Sequence, residues 1–296
     1  MADSPLDKHK HIGSLHSVDS CKESNTIPLR LEHIHEIVLN KRLESVFDVD
    51  DANTVNFVNP YLYKEKTPDT MSKRHDSRYV LNKRLKDFFS VVKEIGCKLY
   101  YIKSGTTGHT FQGISRDGST QYAFKVTPFP KRDYYGQRHD IRRPENAELL
   151  MIKTLSYFVV NKQTPNINLP ITIFDTSIKP FVNLINEGEQ FKENKMFKKF
   201  VKRYKKKELH NHVSILVSEW ANRGDFLAFV RNNYSKFKET HWKAFLFQII
   251  SVLAVIQSKY PDFRHNDMKA NNILVQKIAP ESVFYRQELS GVEKRE

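Results

Sequence analysis

The sequence predicts an α+β fold, with strands concentrated between residues 97 and 221 and helices dominating after them. Three observations carry this. Runs rich in β-branched and aromatic residues, Cys97 to Ile102, Gln121 to Val126, Ile171 to Phe174 and His212 to Ala221, have the length and composition of strands. Between the second and third of them, Pro144 opens a helix in which Leu149, Ile152 and Leu155 form one apolar stripe. From Trp242 to Tyr260, the residues Phe245, Leu246, Ile249, Ile250, Leu253 and Ile256 recur at helical spacing and predict a long helix with a buried face.

Composition narrows the class. At 296 residues, 39% hydrophobic and 28% charged, the chain can bury a sizeable core and has the balance of a soluble protein. No run approaches the roughly 18 apolar residues of a membrane span, and the start Met1-Ala2-Asp3-Ser4-Pro5 lacks a signal pattern. Two cysteines, Cys21 and Cys97, supply neither a disulfide framework nor a zinc site, so a reducing, intracellular setting is expected, cytoplasmic or nuclear. The net charge of +14 is concentrated in one run, where Lys192, Lys195, Lys198, Lys199, Lys202, Arg203, Lys205, Lys206 and Lys207 fall within sixteen residues. Such a run is a solvated insertion, or docks an acidic partner, nucleic acid or an anionic surface. No zinc-finger spacing or RNP-type aromatic motif accompanies it, which argues against a reader of bases.

Three regions follow in order. Residues 1–80 form a polar extension: Met1 to Thr26 has the composition of disorder, Leu31, Ile34 and Val38 mark one amphipathic helix, and 48–78 is turn-rich. Residues 81–221 hold the strands, with a helix from Val80 to Ile95 before them and the basic insertion at 186–210. Residues 222–296 begin with a helix from Asp225 to Asn232 and continue through the long helix and a polar loop.

Several segments carry chemistry by residue type. In Ser104-Gly105-Thr106-Thr107-Gly108 two glycines three apart allow a tight turn whose backbone N–H groups approach a phosphate closely, although a plain β-hairpin has the same spacing. Lys125, flanked by Phe124 and Val126, is a cation in an apolar strand. Glu148 sits beside the stripe of its helix, with Glu145 one turn earlier. The strand ending at Glu219-Trp220-Ala221 leads into a turn with Asp225. In the loop His265-Asn266-Asp267-Met268-Lys269-Ala270-Asn271-Asn272, which runs into the buried strand expected at Ile273-Leu274-Val275, a carboxylate, an ammonium and a carboxamide stand at fixed offsets, as phosphoryl transfer requires.

Taken in this order, these segments resemble the working parts of eukaryotic-type protein kinases, over roughly residues 99 to 275. The resemblance implies a bilobal kinase-like fold, an antiparallel small-lobe sheet with one helix and a partial helical large lobe. It places Gly105 and Gly108 at the second and third glycines of the glycine-rich loop, with Lys103 where the first is usual. Ala123-Phe124-Lys125 matches the strand motif whose lysine holds the phosphates of ATP, and Glu148 would pair with Lys125. The backbone between Glu219 and Ala221 would receive adenine, Ser218 would guard the back of the pocket, and Asp225 would meet the ribose. Asp267 would orient the attacking hydroxyl, Lys269 approach the transferred phosphoryl group and Asn272 hold Mg²⁺. Lys269, two residues after Asp267, implies Ser/Thr specificity and protein substrates; Asn266, where arginine is usual, and the basic insertion imply a divergent branch such as those of large DNA viruses, acting in the host cell or virion.

Met268 to Glu296 contains no aspartate, so the metal-binding D-F-G segment of the family is missing. Ala279-Pro280-Glu281 spells the A-P-E motif but lies too close to Asn272 to serve as one. The expectation is a truncated Ser/Thr kinase impaired in transfer. An inactive nucleotide- or partner-binding pseudokinase, and a basic nucleic-acid-binding protein, remain open as alternatives.

Overall fold

The computed structural model describes residues 26–41, 43–46, 75–132 and 136–278. The polar stretch before residue 26, most of the turn-rich stretch 48–78 and the tail after 278 lie outside the described residues. Six strands, β1 (Arg84–Leu85), β2 (Cys97–Ser104), β3 (His109–Ser115), β4 (Gln121–Pro130), β5 (Pro170–Ser177) and β6 (Leu209–Glu219), form one sheet in the order β1-β5-β6-β4-β3-β2. Among the described residues there are nine α-helices. They are α1 (Ile27–Asn40), α2 (Ser77–Val80), α3 (Phe88–Ile95), α4 (Pro144–Val160), α5 (Lys179–Asn183), α6 (Glu189–Glu193), α7 (Lys195–Lys205), α8 (Phe226–Asn233) and α9 (Glu239–Lys259).

The chain divides into two compact units. The first takes its described residues from Glu32–Tyr157 and Asn168–Trp220 and contains the whole sheet. Alternation builds β4: Tyr122, Phe124 and Val126 are buried, while Gln121, Ala123 and Lys125 point to the half-exposed face. Phe88 of α3, Phe181 of α5, Phe111 of β3 and Phe124 meet in the core, with ring centroids 4.7 Å apart for Phe88 and Phe181. All strand pairs are antiparallel except β1, which pairs parallel with β5. The expected sheet therefore gains a parallel edge strand.

That strand also breaks the helix expected from Val80 to Ile95. Asn82 takes a left-handed φ of 49°, β1 follows, and Asp87 then caps α3 by accepting from the Ser90 amide at 2.8 Å. Strand pairing and burial of the neighbouring Lys83 override the helical period of the apolar residues. The Lys83 and Asp175 side chains are 0% and 4% exposed, with Nζ 2.8 Å from Oδ1. Lys83 Nζ also donates to Asn146 Oδ1 at 3.0 Å and lies 4.8 Å above the Phe129 ring. Asn146, in the first turn of α4, donates in turn to the carbonyls of Arg138 and Asp140 at 2.9 and 2.8 Å. Beside it, buried Arg143 donates to the carbonyls of Pro130 and Gly136 and to Glu145. Burial pushes the Lys83 ammonium down from its ordinary pKa, against the opposing pull of Asp175.

The basic insertion is not a purely solvated excursion. It forms α6 and α7, with Asn194 capping α7 through the amides of Met196 and Phe197, and Phe191, Phe197, Phe200 and Val201 are buried. The lysines stay on the outer face. The rings of Phe197 and Phe200 pack against His109, which is itself buried.

The described residues of the second unit include Phe158–Ile167 and everything from Ala221 to residue 278. Phe226, Phe229, Phe237, Trp242 and Phe245 form an aromatic cluster where α8 meets the start of α9. The buried face expected of α9 is not formed. Ile256 alone is buried, while Leu246 and Ile250 are 57% and 62% exposed, because no described segment covers that side. By length and composition α9 is the one helix among the described residues that could cross a membrane, although His241, Lys243, Gln248 and Gln257 interrupt it.

Two stability predictions follow from the buried polar groups. Lys83→Met leaves Asp175 buried with Arg138 Nε at 3.7 Å as its remaining cation, and should cost about 3–5 kcal/mol in urea denaturation. Lys83→Met/Asp175→Leu should recover most of that loss; a double-variant loss equal to the sum of the Lys83→Met and Asp175→Leu losses would show that the pair is not coupled. For His109, burial pushes the imidazole down to about 4 from 6.5. The unfolded chain therefore binds this proton first, so stability should fall as pH drops from about 6.5 towards about 4, by at most about 3 kcal/mol, with no contribution above that window. His109→Phe should flatten that part of the pH–stability profile, and an unchanged slope would remove His109 as its source.

Candidate functional site

Residues from Gly105 to Gly108 form the hairpin turn between β2 and β3, closed by a hydrogen bond from the Gly105 amide to the Gly108 carbonyl at 2.8 Å. Gly108 is required sterically. A Cβ there would lie 2.4 Å from the Val126 carbonyl oxygen of β4. The amides of Thr106, Thr107 and Gly108 have no hydrogen-bond partner among the described residues, so the turn presents consecutive donors of the kind that hold an anion. Lys103, next to the turn on β2, is exposed and pairs in register with Thr110.

Lys125 stands on β4 one strand away, opposite Thr110 of β3 and Leu216 of β6. Its Nζ donates to Glu148 Oε1 on α4, and the two side chains are 31% and 41% exposed. Glu145 is taken by Arg143 instead, at 3.2 Å, so the geometry separates the two carboxylates of α4. Ala123 lies two residues before Lys125 on the same half-exposed face.

At the end of β6, Glu219 pairs with Tyr122 and Ser218 with Ala123. The Glu219 carboxylate accepts from the Leu169 amide at 2.7 Å, and Ser218 Oγ accepts from Asn168 Nδ2 at 3.2 Å. Beyond it, the Ala221 carbonyl accepts from the Gly224 amide, making the turn that leads to Asp225. Asp225 is the N-cap of α8, accepting from the Ala228 amide at 2.9 Å.

In the second unit the Asp267 loop is organised by contacts within five residues. Asn266 takes a left-handed φ of 59°, and the Asp267 amide donates to the His265 carbonyl at 2.8 Å. Lys269 Nζ lies 2.9 Å from Asp267 Oδ1, and Asn272 Nδ2 donates to Asp267 Oδ2 at 2.8 Å and to its carbonyl at 2.9 Å. The hydrogen bonds from Lys269 and Asn272 hold the Asp267 carboxyl below the usual carboxylate range, so it is ionised at neutral pH. With its amide nitrogen turned to Asp267, Asn272 keeps Oδ1 available, and a hard cation such as Mg²⁺ takes oxygen ligands of this type.

The buried strand expected at Ile273-Leu274-Val275 is an extended, partly exposed segment. Leu274 bridges to Asp225, Ile273 and Val275 exchange backbone bonds with the 223–226 turn, and Leu274 is 52% exposed because no described residue covers it. Lys125 with Glu148, and Asp267 with Lys269 and Asn272, are thus brought together in two sets, each inside its own unit. Sequence reasoning missed the residues that brace the first set. Lys83 and Asn146 fix the first turn of α4, and Ser104, His109, Phe197 and Phe200 surround the glycine turn. A signal was present for the last two, since Phe197, Phe200 and Val201 follow helical spacing beneath the lysines.

No family model matches the chain. It is 43% identical over 251 residues to a protein of Acanthamoeba polyphaga mimivirus named "Putative serine/threonine-protein kinase". The match takes in 84% of this chain and 50% of the viral protein, so the chain spans about half the length of that relative. Identity at this level over this length establishes common descent with that viral protein.

Proposed function

We propose that this chain is a Ser/Thr protein-kinase-like polypeptide of bilobal design, which binds ATP and Mg²⁺ and directs phosphoryl transfer to hydroxyls of a protein substrate. The observation that carries the reading is the Lys125–Glu148 pair beside the glycine turn, in a chain homologous to a protein named as such a kinase. The nucleotide supplies the phosphoryl group, and Mg²⁺ when bound neutralises charge on it. The rest of the chemistry falls to the chain's own groups. Amides of Thr106, Thr107 and Gly108 bind phosphate oxygens, and Lys125, steered by Glu148, adds a cation to them. Glu219 to Ala221 would offer backbone groups to adenine, and Ala123 and Asp225 are assigned to the same nucleotide by the resemblance. Ionised Asp267 accepts the hydrogen bond of the attacking hydroxyl and orients it, Lys269 offsets charge on the transferred group, and Asn272 Oδ1 ligates the metal.

Within these 296 residues no aspartate follows Asp267 to provide a second metal contact, so transfer by this polypeptide alone is expected to be slow. A nucleotide-binding role without efficient catalysis rests on the same pair. The outward lysines of α7 favour an additional electrostatic role, docking an acidic partner or nucleic acid with an affinity that falls as salt rises.

ATP with Mg²⁺ should raise the melting temperature of the wild type, and both Lys125→Met and Glu148→Gln should shrink that shift; equal shifts in all three proteins would remove the pair from the nucleotide site. Asp267→Asn should leave the ATP-induced shift in place while lowering transfer of labelled phosphate to a basic protein substrate on the order of 100-fold or more. Transfer that persists in Asp267→Asn would take the catalytic role away from this loop.

A further inference from the structure

The helices that carry the basic run rest on the two strands that carry the glycine turn. Phe191 of α6 lies 4.8 Å from the Tyr101 ring of β2, and Phe197 and Phe200 of α7 lie 4.9 and 4.5 Å from the His109 ring of β3, all between ring centroids. The residues on either shoulder of the turn, Ser104 and His109, are joined by a hydrogen bond of 2.6 Å between Oγ and Nδ1, and Ser104 Oγ is 2.7 Å from the Tyr101 hydroxyl. One side chain therefore closes the base of the turn while two phenylalanines of the insertion hold that side chain.

A histidine is a costly choice for this position. Its Nε2 is buried without a hydrogen-bond partner among the described residues, a loss that a phenylalanine ring in the same aromatic pocket would avoid. What the imidazole supplies and a phenyl ring cannot is the bond from Nδ1 to Ser104. Without that tie, a turn made of two glycines and two threonines would keep much of its backbone freedom and lose it only on meeting a ligand.

We propose that His109, Phe197 and Phe200 are positioning residues for the glycine turn, so that the basic insertion is part of the nucleotide site and holds the turn ready for an anion. The ligand part of this inference rests on the nucleotide-binding reading above; the positioning part does not. In the unliganded protein, His109→Phe keeps a ring between Phe197 and Phe200 and deletes the tie to Ser104, and Phe200→Ala removes the support behind it. Hydrogen exchange of the Gly105 amide, which is bonded to the Gly108 carbonyl, should accelerate about fivefold or more in each, the scale of one lost hydrogen bond. Binding of ATP should weaken by a similar factor while binding of adenosine, which lacks phosphates, stays unchanged. Unaltered Gly105 exchange in His109→Phe would overturn the proposal even if Phe200→Ala failed to fold. Equal weakening of ATP and adenosine would reduce the insertion to a structural support. A wild type that bound neither ligand would sink the nucleotide reading, and the exchange result would then decide the positioning role by itself.

Discussion

The buried ion pair between Lys83 and Asp175 is the constraint on which the first unit turns. Two opposite charges removed from water are tolerated only when each finds further polar partners, and here Lys83 finds one in Asn146. Because Asn146 lies in the first turn of α4, satisfying the ammonium also fixes where that helix begins. Glu148 follows two residues later, and its reach to Lys125 is inherited from the same arrangement. Arg143 reinforces this by donating to the carbonyl of Pro130, the last residue of the strand that carries Lys125. The sheet and the helix are therefore registered to one another at two places, one buried and ionic, the other the partly exposed pair at the candidate site.

The same unit solves a second problem at its other edge. Nine cations in one run repel each other and cannot be buried, yet an insertion left wholly in water would contribute nothing to the fold. The chain resolves this by helix geometry: the phenylalanines of α6 and α7 turn inwards and the lysines outwards. Arg203 is partly neutralised by Glu208 and Lys192 by Glu189, which eases the repulsion along the run.

How much of this could be read beforehand depended on whether the physical cause was local. Strands β2, β4, β5 and β6, helix α4 and the separation of Lys125 from its apolar neighbours were visible because alternation and helical stripes are properties of short windows. The two-residue strand β1 was not, since nothing within its own window distinguishes Arg84 and Leu85 from the helical pattern on either side; its cause is Asp175, ninety positions later. Burial was legible only where a covering element exists. The stripe of α9 correctly predicted a helix, but Leu246 and Ile250 lie open, because periodicity reports which side could be covered and not what covers it.

The two sets of candidate residues differ in the same respect. Lys125 and Glu148 are 23 positions apart and meet only because a sheet, a helix and a buried lysine agree on their placement. Asp267, Lys269 and Asn272 lie within six residues and hold one another directly, with the left-handed Asn266 setting the turn and the Asp267 carbonyl accepting from the Asn272 side-chain Nδ2. Their geometry needs no distant packing, and so the loop keeps an ionised carboxylate in a fixed relation to a cation and a free amide oxygen while all three side chains stay in water. In water such contacts are individually weak. The loop can therefore preserve the arrangement of its own groups, but substrate contacts and exclusion of solvent have to supply the stronger electrostatics that phosphoryl transfer demands.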